Sequence, residues 1–288
     1  MTLLKKRYSA TLPKYDRPVL ETILHGICLE NTTNELADQV LEDLLDGFHD
    51  LNEIRVSTIS ELEPVFDSVG DAEWRSYRIR SVLQYVFDKE FCFDLEGMRK
   101  KTLEQAQKQL TRMKALTPFV LNHTLQVVLG SHLVPADEKI LNASKWLGLL
   151  PADESIETAS DSLKSTARKS DAPLLSHLLR CLATDEELQA DFNLDKNPLP
   201  EDGVDLMEAP SRLEDLFANP LSKQKKKTVK KKKAAVKGKK AVTKVKKKVP
   251  AKKTKSVKKA VKKTAAKSSA TKKSTKKKVP KKSSSTKK

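Results

Sequence analysis

The chain has 288 residues, 33% of them charged and 38% hydrophobic, with a formal net charge of +18 and three cysteines. Its most apolar region, 119–134, is interrupted by Asn122, His123, Thr124, Gln126 and His132, so nothing here is expected to span a bilayer. Cys28, Cys92 and Cys181 stand far apart, with no CxxC or Cys/His spacing, which excludes a disulfide-stapled scaffold. They are expected as free, mostly buried thiols with no zinc or iron–sulfur role.

Residues 1–18 read as an N-terminal arm. They carry charges but no following apolar stretch of signal-peptide length, so an intracellular protein is expected, in nucleoid or cytoplasm, or in the nucleus if the source is eukaryotic. After Pro18, the residues Val19, Leu20, Ile23, Leu24, Ile27 and Cys28 make a stripe at i, i+3, i+4 spacing, the mark of a helix. A polar break at Asn31, Thr32, Thr33 and Asn34 separates it from a second helix carrying Leu36, Val40, Leu41, Leu44 and Leu45, and the two should pack antiparallel.

Ser57 to Glu61 reads as a capping box opening a helix through Leu62, Val65 and Phe66, which Gly70 stops. Ile79, Val82, Leu83, Val86 and Phe87 mark the next helix, and Glu96 to Met113 offers a weakly apolar one. Val120 to Leu129 and Glu138 to Leu147 complete a bundle of short helices, with no strand pattern anywhere, so the fold class is all-α. Residues 19–192 are assigned to this helical domain. Within it, Pro151 to Asp171 is rich in Ser, Asp, Glu and Thr and reads as a linker, and Pro173 to Leu188 as one more helix. Residues 185–217 then hold eleven Asp and Glu against Lys196 and Arg212, and 193–222 is expected as an acidic linker, either solvated or paired with the segment after it.

That segment, 223–288, holds 32 lysines and no acidic, aromatic, Arg or His residue, whereas residues 1–222 carry 24 Lys and Arg against 38 Asp and Glu, a formal charge of −14. So little apolar surface cannot offset the entropy of ordering, and the tail is expected to be disordered. A polycation of this length suits a polyanion, and duplex DNA best, because each phosphate neutralised releases a condensed counterion. The runs Lys225, Lys226, Lys227, then Lys230, Lys231, Lys232, Lys233, then Lys246, Lys247, Lys248 are the expected phosphate contacts, as point charges rather than base-reading forks. No large apolar side chain interleaves with them to enter a membrane. The composition is similar to the tails of linker histones and of histone-like bacterial nucleoid proteins.

Four motifs in the first 151 residues occur in an order that carries more. They are Ile27-Cys28-Leu29-Glu30-Asn31-Thr32-Thr33-Asn34; Glu61-Leu62-Glu63-Pro64-Val65 to Gly70 followed by Arg75 to Val82; Thr102-Leu103-Glu104-Gln105-Ala106 with Leu110 to Leu125; and Pro135-Ala136-Asp137-Glu138-Lys139-Ile140-Leu141 to Leu149. In that order they resemble the endonuclease III-like DNA glycosylases of the helix-hairpin-helix superfamily, over about Val19 to Pro151. The resemblance implies a helix-hairpin-helix glycosylase-like bundle, with Asn31, Thr117, Pro118, Phe119 and Asn122 facing DNA and a catalytic carboxylate at Asp137.

Departures from the family matter as much. Its two hairpin glycines, which let backbone N–H groups approach a phosphate, are replaced by Phe119 and Leu121. Its Schiff-base lysine falls on His123, which cannot form that imine. Asp137 after Pro135 is also a natural N-cap, His123 also reads as a core-edge histidine, and Asn31 as a helix cap. Lys139 follows as either a rescued nucleophile or a solvated helix charge. The family's four-cysteine iron–sulfur loop is absent, so no cofactor is expected. These readings add up to a DNA-binding protein of endonuclease III-like fold, tethered by its tail, with at most monofunctional N-glycosylase activity and no lyase. A non-catalytic, histone-like architectural protein and an rRNA-associated protein remain as alternatives. The oligomeric state is not legible.

Overall fold

The computed structural model describes residues 1–13, 16–200 and 204–221, and every expectation about the Lys-rich tail at 223–288 lies outside them. A short first helix, α1 (Thr2–Arg7), buries Leu4. The chain becomes helical again directly after Pro18, whose fixed φ and missing N–H suit a helix start, and α2 (Val19–Leu29) follows. Every residue of α2 except Glu21 is buried, as befits a helix apolar on nearly all sides. Its Gly26 allows close approach: a Cβ there would meet Val120 Cγ1 at 3.1 Å.

Helix α3 (Asn34–Asp46) starts at Thr33, whose hydroxyl accepts from the Leu36 N–H at 3.2 Å. α4 (Leu51–Val56) is capped by Asp50, and α5 (Ile59–Leu62) by a reciprocal capping box of Thr58 and Glu61, so the cap expected from Ser57 sits one residue later. A 3₁₀ turn, Glu63–Phe66, buries Phe66 and leads through Gly70 into α6 (Ala72–Glu90), the longest helix among the described residues. The weakly apolar stretch from Glu96 to Met113 divides into a 3₁₀ turn, Glu96–Lys100, and α7 (Leu103–Thr111), because the capping box of Thr102 and Gln105 restarts the helix. After a six-residue connection comes α8 (Pro118–Leu129), with Thr117 as N-cap, and then α9 (Glu138–Trp146), with Asp137 as N-cap.

Two segments expected as linkers contain helices. Within Pro151–Asp171, α10 (Ile156–Lys164) buries Ala159 and Leu163. Beyond α11 (Ala172–Thr184), the acidic stretch buries Leu188 and Phe192 and forms α12 (Ala209–Ala218) on Leu213 and Leu216. In both, a few apolar residues at helical spacing decide the structure, although the average composition is polar.

Among the described residues there is no strand, and the fold is all-α. The helices bury two apolar clusters. One is built from α2 to α8, and the other from α1 and α9 to α12. None of the described helices is long and apolar enough to cross a membrane. Burial pushes the Cys28 thiol up to about 12, Cys181 is half-buried, and Cys92 is exposed.

Candidate functional site

The C-terminus of α2 is where the site forms. Asn31 lies in the left-handed region just past that helix, at φ 60°, and the carbonyls of Ile27 to Glu30 and of Thr32 on either side of it are met by side chains. Two buried arginines from distant parts of the chain meet them. Arg75 of α6 donates to the carbonyls of Gly70 (2.9 Å), Cys28 (3.3 Å) and Glu30 (2.7 Å), and to that of Ile27. Arg180 of α11 donates through Nη1 to the carbonyls of Leu29 (2.9 Å) and Thr32 (3.0 Å) and to Asp137 Oδ2 (2.9 Å). Helix C-termini leave carbonyls unsatisfied, and the two guanidinium groups supply the donors in place of water.

Asp137 is 0% exposed. Its Oδ2 also accepts the Asn31 N–H at 2.9 Å, and its Oδ1 accepts the Ile140 N–H at 2.9 Å, which caps α9. Asn31, half-exposed, accepts the Lys139 N–H on its side-chain oxygen at 3.3 Å. The structure therefore brings Asn31, Asp137 and Lys139 together, with the Asp137 carboxylate enclosed and the other two facing outward in part.

The expected hairpin residues divide. Thr117 caps α8 by accepting the Val120 N–H at 3.3 Å, Pro118 is exposed, and Asn122 is half-exposed. Phe119 does not face outward: it is 1% exposed, with the Arg180 guanidinium 4.8 Å over its ring and His123 stacked on it at 5.8 Å. An aromatic side chain entering α8 on its inner side gains more from burial than from solvent, and it fills space that a glycine would leave empty. His123 is likewise buried, and its ring lies 5.9 Å from that of His25, which contacts Asp38 at 2.9 Å. Burial, with His25 and Arg180 close by, holds His123 well below an ordinary histidine's value, so its imidazole is neutral and inside the protein.

Glu30, Arg75 and Arg78 stand in the motifs read from the sequence but were given no role there, and Arg180 stood in none. Glu30 pairs with Arg78 at 2.7 Å, and burial raises its carboxyl above the usual range, opposed by Arg78 and by the Thr117 hydroxyl. The signal for Arg180 was a lone cation inside the stripe Leu178, Leu179, Leu182. Among the described residues, no group of three or more His, Cys, Asp or Glu is placed to hold a metal ion.

No family model matches the chain, and no curated protein matches its sequence. Solved structures do match. Endonuclease III in a non-covalent complex with DNA is 16% identical, with a TM-score of 0.50, covering 63% of this chain and 80% of that one. The fold is that of endonuclease III. A trapped endonuclease III–DNA covalent intermediate in an estranged-adenine complex is also 16% identical, with a TM-score of 0.49 and coverage of 63% and 81%. A Clostridium acetobutylicum 8-oxoguanine glycosylase/lyase, in complex with double-stranded DNA containing cytosine opposite 8-oxoG, is 14% identical, with a TM-score of 0.48 and coverage of 62% and 65%. On this fold, the connection between α7 and α8 carries Thr117, whose hydroxyl hydrogen-bonds Glu30 next to Asn31, and Asp137, at the start of α9, accepts the Asn31 N–H. All the tail lysines expected to meet phosphates, Lys225 through Lys248, lie outside the described residues.

Proposed function

We propose that this chain is a DNA-binding protein that keeps the endonuclease III fold as a scaffold, binds duplex through its Lys-rich segment, and does not use Asp137 as a glycosylase carboxylate. The observation that carries the reading is the enclosure of Asp137. Both of its oxygens accept hydrogen bonds from the protein, it is fully buried, and it faces Arg180. A carboxylate that is to stabilise a positive sugar must face the sugar, and a neighbouring guanidinium already neutralises this one. DNA as the partner is supported by 32 lysines in the last 66 residues and by the fold shared with a DNA-bound endonuclease III.

The test uses the full chain on intact duplex and on duplexes containing an abasic site, uracil, an oxidised pyrimidine or an A·G mispair. The expected result is no base release from any of them, together with duplex binding that weakens on the order of 10³-fold or more between 50 and 200 mM salt. Catalytic base release lost in Asp137→Asn would overturn the non-catalytic reading. Salt-insensitive binding, or preference for structured RNA in competition, would overturn DNA tethering.

A further inference from the structure

We infer that the cleft between α6 and α7 is a second DNA-binding surface, built to hold the phosphate backbone of a duplex that the Lys-rich segment delivers. The inference rests on the proposed DNA-binding function and adds where the folded part meets the duplex. The cleft has a volume of about 740 Å³. Lys89 on α6 and Lys101, Lys108 and Arg112 along α7 and its flanks line it, against the single carboxylate Glu90. This local excess of cations lies in a stretch, 1–222, whose formal charge is −14. All four cations are exposed, and none takes part in an ion pair among the described residues. Like charges gathered without partners repel one another, an arrangement that a bound polyanion relieves.

The wall on α7 follows from spacing. Gln105, Lys108, Gln109 and Arg112 fall at i, i+3, i+4 and i+7, so one helix face is polar and cationic while Ala106 and Leu110 are buried on the other. Gln109 accepts from the Lys101 ammonium at 2.6 Å, which holds that charge at the rim.

The wall on α6 connects the cleft to the site already described. Trp74, Arg78, Ser81, Tyr85 and Lys89 recur at steps of four, three, four and four residues, placing them along one face. Arg78, near its start, pairs with Glu30 beside Thr117, and Tyr85 and Lys89, near its end, line the cleft. A helix of 19 residues is about 28 Å long, or roughly 8 base pairs at 3.4 Å each. A duplex touching the Asn31 and Thr117 turns and lying along α6 would thus reach the cleft within one helical turn. The acidic stretch of the same chain is the competing occupant. Its apolar residues Leu188, Phe192, Leu213 and Leu216 are buried in the second core cluster, which holds it elsewhere.

Lysine acylation footprinting of the full chain, with and without a 30-base-pair duplex, tests the inference by peptide mass spectrometry. Labelling of Lys89, Lys101 and Lys108 is expected to slow at least 3-fold on DNA, while Lys5 and Lys6 on α1 label at an unchanged rate. The full-chain double substitution Lys108→Glu/Arg112→Glu should abolish protection at Lys89 and Lys101 without changing the melting temperature. If DNA is bound yet the cleft lysines label as fast as in its absence, the inference is overturned and tethering by the tail stands. Slow labelling before DNA is added means that the chain fills its own cleft, which also overturns the inference. Absence of any DNA binding overturns both this inference and the proposed function.

Discussion

Arg180 Nη1 lies 2.9 Å from Asp137 Oδ2, and the two side chains are 6% and 1% exposed. Removing one member of a buried pair leaves an uncompensated charge, which costs about 3–5 kcal/mol, whereas removing both costs much less than the sum. Arg180→Met should therefore lower stability by about 3 kcal/mol or more in urea denaturation. Asp137→Asn combined with Arg180→Met should recover part of that loss. Strictly additive effects would mean that the pair is not coupled.

Acidification should destabilise the fold through its buried histidines. Burial lowers the value of His25 and holds that of His123 well below the ordinary one, even though Asp38 faces His25. The unfolded chain then takes up protons that the folded one does not, so stability is full above the unfolded value of about 6.5 and is lost as pH falls below it, by up to about 1.4 kcal/mol per pH unit for each histidine. Glu30, whose carboxyl is raised by burial, contributes with the opposite sign. The readout is accordingly a difference. Between pH 7.5 and 5.5 the urea midpoint of His123→Phe should fall less than that of the native chain, and equal slopes would count against this account.

Two glycines with positive φ should respond differently to alanine. Gly130 has φ 59° and open space around it, so Gly130→Ala should cost about 1 kcal/mol from backbone strain alone. Gly148 has φ 74°, and a Cβ there would lie 2.6 Å from the Val204 carbonyl oxygen, so backbone must shift as well. Gly148→Ala should lose about 2 kcal/mol or more, read as the larger drop in melting temperature.

Phe119 offers a packing test. Its ring contacts both the Arg180 guanidinium, at 4.8 Å, and His123, at 5.8 Å, and Phe119→Leu keeps most of the apolar volume while removing both ring contacts. The expected loss is about 1–2 kcal/mol, partly from the cation–π contact and partly from reshaping the core. If Phe119 instead served DNA from an outward position, its replacement would change binding and leave stability alone.

Much of the fold could be read from the sequence, because its signals are local. The stripe from Val19 to Cys28, the arrest at Gly70 and the Pro-Ala-Asp-Glu start of α9 each lie within one turn or two of the structure they specify. The site was legible only in part, because its chemistry depends on distant partners. Asp137 reads equally well as a cap and as a catalytic acid until Arg180, 43 residues on, is seen to face it. Phe119 falls at a hairpin position by alignment, and only the packing of α8 turns it inward. Helices α10 and α12 were hidden because Ile156, Ala159 and Leu163, or Leu213 and Leu216, are too few to colour the composition of their segments, yet enough to seat a helix against an existing core.

Arg75 and Arg180, 105 positions apart in the chain, hold different carbonyls of the one turn that ends α2, Arg75 those of Ile27, Cys28 and Glu30 and Arg180 those of Leu29 and Thr32, and they come from helices that build different apolar clusters. A polypeptide cut near residue 133 would divide both this junction and the second cluster: the Leu29 and Thr32 carbonyls and Leu4 of α1 go with the first piece, the Arg180 guanidinium and the Asp137 carboxylate with the second. Neither fragment should persist alone, and the two mixed together should regain helicity and melt in one transition, as a protein joined by a shared latch.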